Sequence, residues 1–226
     1  MTESSVVRKQ REIYQKNFLI HGDSPLGTFQ NDQVTQFLRF EQLIKGIKDH
    51  FTPDTTIHDI GSGVCDFYTF LRDNDIKVNY SGTEIVPDMI DIVKNKYPEL
   101  EILNRDFLSE DVKDKYDFVI LSGTLNLPGE VTEDNWKEFC FQMIRKMFES
   151  SKKGIALNFL TSYRTFSDPT LYYIDPKEVF DFCSTQLSRF VCIDAAYPLY
   201  EVTCTVFRRE YLAEVYQHEA LKKYFK

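Results

Sequence analysis

The chain has 226 residues and a net charge of −8, from 27 Lys and Arg against 35 Asp and Glu, with 42% hydrophobic and 15% aromatic residues. That length fits one domain with a proper core, and basic pairs as scattered as Arg145-Lys146, Lys152-Lys153 and Arg208-Arg209 argue against a nucleic-acid substrate, whose phosphates need clustered cations. No stretch is long and apolar enough to span a bilayer, and the polar start lacks the apolar centre of a secretory signal, so a cytoplasmic protein with no membrane partner is expected.

Taken in order, residues 3–20 read as a helix with Val7, Ile13, Tyr14 and Phe18 at helical spacings, and residues 21–27 as a Gly/Pro/Asp loop. Asn31 or Asp32 can cap a second helix reaching Ile47, with Val34, Phe37, Leu38, Leu43, Ile44 and Ile47 inward. Strands are expected at 55–59, 78–84, 100–103, 116–122 and 154–160. Helices are expected from 67, from Pro87 in its favoured first turn, over 133–149 and from Asp175-Pro176 through Leu187. Strands at 190–195 and 202–208 are joined by Tyr197-Pro198-Leu199-Tyr200, too short for a helical crossover, so they pair antiparallel. The tail, 210–226, reads as a helix. Five strands with helical crossovers predict an α/β fold: a doubly wound, mostly parallel seven-stranded sheet with a terminal antiparallel hairpin and helices on both faces. One domain spans 1–226, with a helical N-terminal cap over 1–50, a Rossmann-like core over 55–209 and a C-terminal helix over 210–226. The five cysteines form no CxxC pair and no metal-ligand spacing. No metal is expected. Cys140, Cys183, Cys192 and Cys204 sit among apolar neighbours and read as buried thiols.

The densest signal is Thr55-Thr56-Ile57-His58-Asp59-Ile60-Gly61-Ser62-Gly63-Val64-Cys65-Asp66-Phe67, a strand running through a glycine turn into a helix. Such a turn builds a nucleotide-sized site at the carboxyl end of the first strand. The dinucleotide fingerprint G-x-G-x-x-G/A would need a small residue at position 66. Asp66 stands there instead, a carboxylate where a pyrophosphate should dock. The remaining pattern, Asp59-x-Gly61-x-Gly63, resembles motif I of the class I S-adenosylmethionine-dependent methyltransferases, with Cys65 where that family often has a third glycine.

Three further segments extend the resemblance over residues 55–208. Glu84, followed by Ile85, ends the second strand where the family's acid holds the ribose hydroxyls, and its spacing from Asp59 is near the roughly twenty residues expected for a ribose-binding acid. Asn104-Arg105-Asp106-Phe107 is similar to the family's acidic motif, which implies that Asp106 takes the adenine amino group and Phe107 covers the ring. Tyr116 to Asn126 resembles the strand-four motif beside the methionine part of the cofactor, with Ser122 at the strand end. The implied cofactor is S-adenosylmethionine, and Arg39 is a candidate for its carboxylate. Asn126, Tyr163, Arg164, Tyr172 and Tyr173 lie where this fold lines its acceptor pocket. His21, in a loop ahead of the core, is the candidate base for a hydroxyl acceptor, whereas His58 reads as a core or near-site histidine.

The resemblance implies a methyltransferase of a small molecule, with an oxygen acceptor favoured and a sugar or other secondary metabolite as the guess. No Asn-Pro-Pro-Tyr motif of amino-methylating nucleic-acid enzymes is present. A protein or RNA methyltransferase, a non-catalytic cofactor-binding subunit and a nucleotide-binding oxidoreductase are the alternatives. The oligomeric state is open.

Overall fold

The run Phe118-Val119-Ile120-Leu121 is wholly buried, as expected of a strand covered on both faces. It belongs to the middle strand of a sheet whose strands are β1 (Thr56–Ile60), β2 (Asn79–Glu84), β3 (Glu101–Asn104), β4 (Tyr116–Leu121), β5 (Ser151–Leu160), β6 (Val191–Asp194) and β7 (Glu201–Phe207). The computed structural model describes residues 5–109 and 115–226. The spatial order is β3-β2-β1-β4-β5-β7-β6. β1 to β5 are parallel, and β7 runs antiparallel to both β5 and β6.

Side chains alternate across a strand, and β4 shows how this builds two layers. Val119 and Leu121 join the core under α5 (Glu133–Ser150) and α6 (Pro176–Gln186), with Trp136, Met143 and Ile144 from α5. Phe118 and Ile120 join the opposite core with Phe40, Leu43 and Ile44 of α2 (Gln33–Lys45) and Phe67, Phe70 and Leu71 of α3 (Asp66–Asp73). α4 (Pro87–Lys96) packs beside β2 and β3. The chain winds outward from β1 to β3, then crosses to β4 and winds the other way. The crevice between the carboxyl ends of β1 and β4 is therefore the switch point where open α/β sheets bind ligands.

The first fifty residues add no strand among those described. α1 (Ser5–His21) buries Val7, Gln10 and Phe18. Phe18 packs with Val64, Val86 and Met89, beside the crevice. Asn17 donates its amide to the carbonyls of Leu26 and Gly27, at 2.6 and 3.0 Å, and so ties the following turn (Pro25–Thr28) back to the helix. Asp32 caps α2 by accepting the Thr35 N–H at 2.9 Å.

Three expectations are corrected. Val34 is 79% exposed. α2 buries Gln36, Phe40, Leu43 and Ile44, and Val34 lies two residues from Gln36, about 200° around the helix. The tail does not continue as one helix: α7 (Arg209–Val215) ends, and a 3-10 turn (Glu219–Phe225) follows, started by the His218 ring accepting the Ala220 N–H at 3.2 Å. Only Leu212 of α7 is buried and no residue of the 3-10 turn is, so little packing supports a longer helix. Cys192 is exposed, because β6 pairs only with β7 and forms the edge of the sheet. The other four cysteines, Cys65 included, are buried and free.

Candidate cofactor and acceptor site

The turn after β1 needs left-handed backbone three times, at Gly61 (φ 69°), Gly63 (φ 56°) and Cys65 (φ 62°). A side chain on Gly61 would also meet the Thr124 hydroxyl at 2.5 Å. Glycine meets such demands at least cost. Cys65 adopts the same backbone with a side chain, and its thiol is buried and pushed up to about 12, chiefly by that burial. It is a packing group and no nucleophile. The backbone N–H groups of Gly61 and Ser62 both donate to the Thr83 carbonyl, at 2.8 and 3.1 Å, fixing the turn against the end of β2.

Four carboxylates line the crevice at this turn: Asp59, Asp66, Glu84 and Asp106. Asp59 accepts from the Tyr80 hydroxyl at 2.8 Å, and burial pushes its carboxyl up to about 7 despite that bond. Glu84 accepts three backbone N–H groups: Gly63 on Oε2 at 2.8 Å, and Ile85 and Val86 on Oε1 at 2.7 and 2.8 Å. Burial raises its carboxyl, and these three bonds pull it back down. Asp66 accepts from the Gln36 amide at 2.9 Å. Asp106 uses Oδ1 to accept the Leu108 N–H at 2.9 Å. Its Oδ2 is buried and has no partner among the described residues, and a buried carboxylate oxygen in that condition calls for a donor.

His58 lies behind the turn, with its ring nitrogens 2.9 Å from the Ser81 hydroxyl and 2.6 Å from the Thr83 hydroxyl. Burial pushes its imidazole down to about 3, so it is neutral and satisfied. Tyr116 stacks on it at 4.1 Å.

A second cavity opens beyond β4. Half-buried Arg39 and buried Glu201 form an ion pair on its wall, with Arg39 Nε 2.9 and 2.7 Å from the two carboxylate oxygens. Another Arg39 nitrogen donates to the Gln30 side-chain oxygen. Asn126, Tyr173, Tyr197 and Tyr200 line the same cavity. Tyr173 accepts the Asp168 N–H at 2.9 Å, and the Arg164 guanidinium sits 3.6 Å from its ring centroid.

The sequence-predicted residues divide between these cavities. Asp59, Gly61, Gly63, Glu84, Ile85, Asp106, Phe107 and Ser122 all line the crevice. Arg39 lines the second cavity instead, its guanidinium engaged by Glu201 and Gln30. Of the acceptor candidates, Asn126 and Tyr173 line that cavity. Tyr163 is 59% exposed, and Tyr172 packs against the core under α5. Tyr163, Arg164 and Tyr172 stand off both walls. His21 is the exposed last residue of α1 and reaches neither cavity. Sequence reasoning missed Gln30, Gln36, Asp168, Tyr197 and Tyr200 as wall residues, and it read Tyr14 only as a packing position. No local motif marks them; only the fold brings them to the strand ends. Among the described residues no His, Cys, Asp and Glu side chains gather as metal ligands, and no helix is long and apolar enough to cross a membrane.

No protein-family model matches the chain. Rv1506c of Mycobacterium tuberculosis (strain ATCC 25618 / H37Rv), provisionally named a methyltransferase, is 27% identical over 154 residues, which make up 67% of this chain and 92% of that protein. The solved DhpI-SAM-HEP complex superposes with a TM-score of 0.64 at 12% identity, covering 92% of this chain and 100% of the other. Magnesium protoporphyrin IX methyltransferase (ChlM) from Synechocystis PCC 6803, solved with bound SAM, gives 0.61 at 13% identity over 91% and 99% of the two chains. The two solved structures speak for the fold, and the mycobacterial relative adds likeness in sequence. With the strand order, the turn after β1 and the acids at the ends of β2 and β3, they lead to one conclusion: the chain has the fold of the class I S-adenosylmethionine-dependent methyltransferases and is similar in sequence to a protein named as a methyltransferase.

Proposed function

We propose that the protein methylates a hydroxyl of an uncharged small molecule seated in the second cavity, using S-adenosylmethionine held in the crevice. The observation that carries this reading is the unpartnered Oδ2 of Asp106 in a crevice that is lined by four carboxylates and shares wall residues with a second cavity. An acid with a spare buried oxygen suits an exocyclic amine. Four acids with Arg105 as the basic side chain on the same wall suit a cationic ligand and repel a pyrophosphate.

In this reading Asp106 accepts the adenine amino group, with Phe107 beside the ring. Glu84 accepts from the ribose hydroxyls through the lone pairs that its three backbone bonds leave. Asp59 and Ser122 stand at the methionine end. When bound, S-adenosylmethionine supplies a sulfonium methyl: the sulfur–carbon bond breaks with its electron pair left on sulfur, an acceptor oxygen lone pair forms the new carbon–oxygen bond, and the acceptor proton leaves to water or to Asp168. Asp168 accepts from the Thr170 hydroxyl and N–H, which hold its carboxyl below the usual range and so ionised. The chain's own contribution is alignment of the two reactants. Residues 1–50 act as a cap, since Gln10, Tyr14, Gln30 and Gln36 complete the crevice wall.

The second cavity supports a hydroxylated acceptor such as a sugar. Thr28, Gln30, Asn126 and Thr170 bring hydroxyl and amide groups beside the rings of Tyr173, Tyr197 and Tyr200. The Arg39 charge on that wall is already balanced by Glu201. Incubation with S-adenosylmethionine and a panel of methyl glycosides, read by mass spectrometry, tests the reading. Gain of one methyl group on a glycoside supports it. Methylation of amines in a parallel panel, with every glycoside unchanged, overturns the oxygen acceptor.

A further inference from the structure

The crevice and the second cavity share four wall residues: Tyr14, Thr28, Gln30 and Gly123. Resting on the methyltransferase reading above, we propose that this shared waist is where the donor methyl faces the acceptor, and that the Tyr14 hydroxyl is the group the chain presents to that methyl.

The order of the strand ends gives the direction. Asp106, Glu84, Asp59 and Ser122 stand at or just beyond the carboxyl ends of β3, β2, β1 and β4. A ligand laid along them with its adenine at Asp106 has its far end beside Gly123, two residues past β4. Gly123 has φ 77°, and a side chain there would come within 3.4 Å of the Gln30 amide nitrogen. Its bare backbone therefore leaves the passage open. Gln30 is locked from two sides: its oxygen accepts from Arg39, itself held by Glu201, and its amide donates to the Thr28 carbonyl at 3.3 Å. Arg39 and Glu201 are thus positioning residues that act through Gln30.

Tyr14 is the remaining wall. Its ring meets Phe29 edge-on at 5.1 Å. None of the hydrogen bonds among the described residues engages its hydroxyl. Burial, with the Glu84 charge nearby, keeps that hydroxyl protonated far above neutrality, so it cannot act as a base. It can offer oxygen lone pairs to the polarised C–H bonds of a methyl on a positive sulfur, a weak contact that vanishes with the methyl.

S-adenosylmethionine and S-adenosylhomocysteine differ by that methyl and its charge, so calorimetry on Tyr14→Phe with each ligand reads the contact without an acceptor. We expect S-adenosylmethionine to bind about two- to fivefold more weakly and S-adenosylhomocysteine to be unchanged, with the unliganded melting temperature preserved. Asp106→Asn, at the adenine end, should weaken both ligands alike. An equal loss for both ligands in Tyr14→Phe, or no loss for either, overturns the assignment of Tyr14 and leaves the methyltransferase reading standing. Failure of the unaltered protein to bind either ligand overturns that reading, and this one with it.

Discussion

Gly63 donates its backbone N–H to Glu84 Oε2 at 2.8 Å, so the glycine turn after β1 is latched to the acid that ends β2. The other carboxylate oxygen accepts from Ile85 and Val86, where the chain turns into α4. One buried side chain thus holds both loops that frame the proposed ribose position. Bonds from backbone N–H groups to a charged acceptor contribute roughly 1.5–3 kcal/mol each.

Glu84→Ala should therefore fail twice. Cofactor affinity should fall about tenfold to several hundredfold. The unliganded melting temperature should drop by several degrees, about 2–4 °C for each kcal/mol lost in a chain of this size. Glu84→Gln keeps one acceptor oxygen and should fall between. Paired calorimetry and thermal melts measure both effects, and full cofactor affinity in a destabilised Glu84→Ala would remove the ribose assignment.

Asp59 should make cofactor binding pH-dependent. Its carboxyl is pushed up to about 7 by burial, above its ordinary 3.8. The folded protein therefore holds a proton that the unfolded chain releases between these values, and this group's contribution to stability falls as pH rises from about 4 through 7. A cationic ligand favours the ionised form, so binding should tighten as pH rises through about 7 and should release a proton below it. Asp59→Asn should abolish both trends. Calorimetry in two buffers of different ionisation enthalpy counts the proton, and identical heats at pH 6 with the unaltered protein would contradict the coupling.

Asp106 should set the base preference. Asp106→Asn replaces an acceptor by an amide that also donates. S-adenosylhomocysteine should bind about tenfold more weakly, while S-inosylhomocysteine, with a carbonyl in place of the amino group, should lose less or gain. Equal losses for both bases would show that Asp106 does not read the purine edge.

Much of the fold was legible because its signals are local. The run Phe118 to Leu121 declares a buried strand, the six-residue link 195–200 is too short for anything but an antiparallel β6 and β7, and Gly61 and Gly63 mark the turn. Crevice residues tied to strand ends, such as Glu84 and Asp106, were legible for the same reason. The acceptor side was not. Arg39 meets Glu201 across 162 positions of sequence, and nothing near either residue announces the pair. Tyr163, Arg164 and Tyr172 follow β5 as expected but stand off the cavity, and His21 ends a helix that leads its side chain out to solvent. Val34 fits an apolar pattern by type and misses it by rotation about the helix.

The N-terminal cap is a separable claim. Removing residues 1–30 strips Tyr14, Thr28 and Gln30 from the walls and Phe18 from its contacts with Val64, Val86 and Met89. It leaves α2 in place over α3. The truncated protein should stay folded, with its helical circular dichroism signal reduced only by the loss of α1, melt at a lower temperature and lose measurable cofactor binding. Unchanged binding would show that the segment is no part of the site.

The central claim is that the crevice takes S-adenosylmethionine and refuses a dinucleotide. Calorimetric titration of the full chain with S-adenosylmethionine, S-adenosylhomocysteine and NAD tests it most directly. Saturable binding of the first two, with no heat from NAD, is the predicted result. Binding of NAD with no response to either of the others would contradict the account at its root.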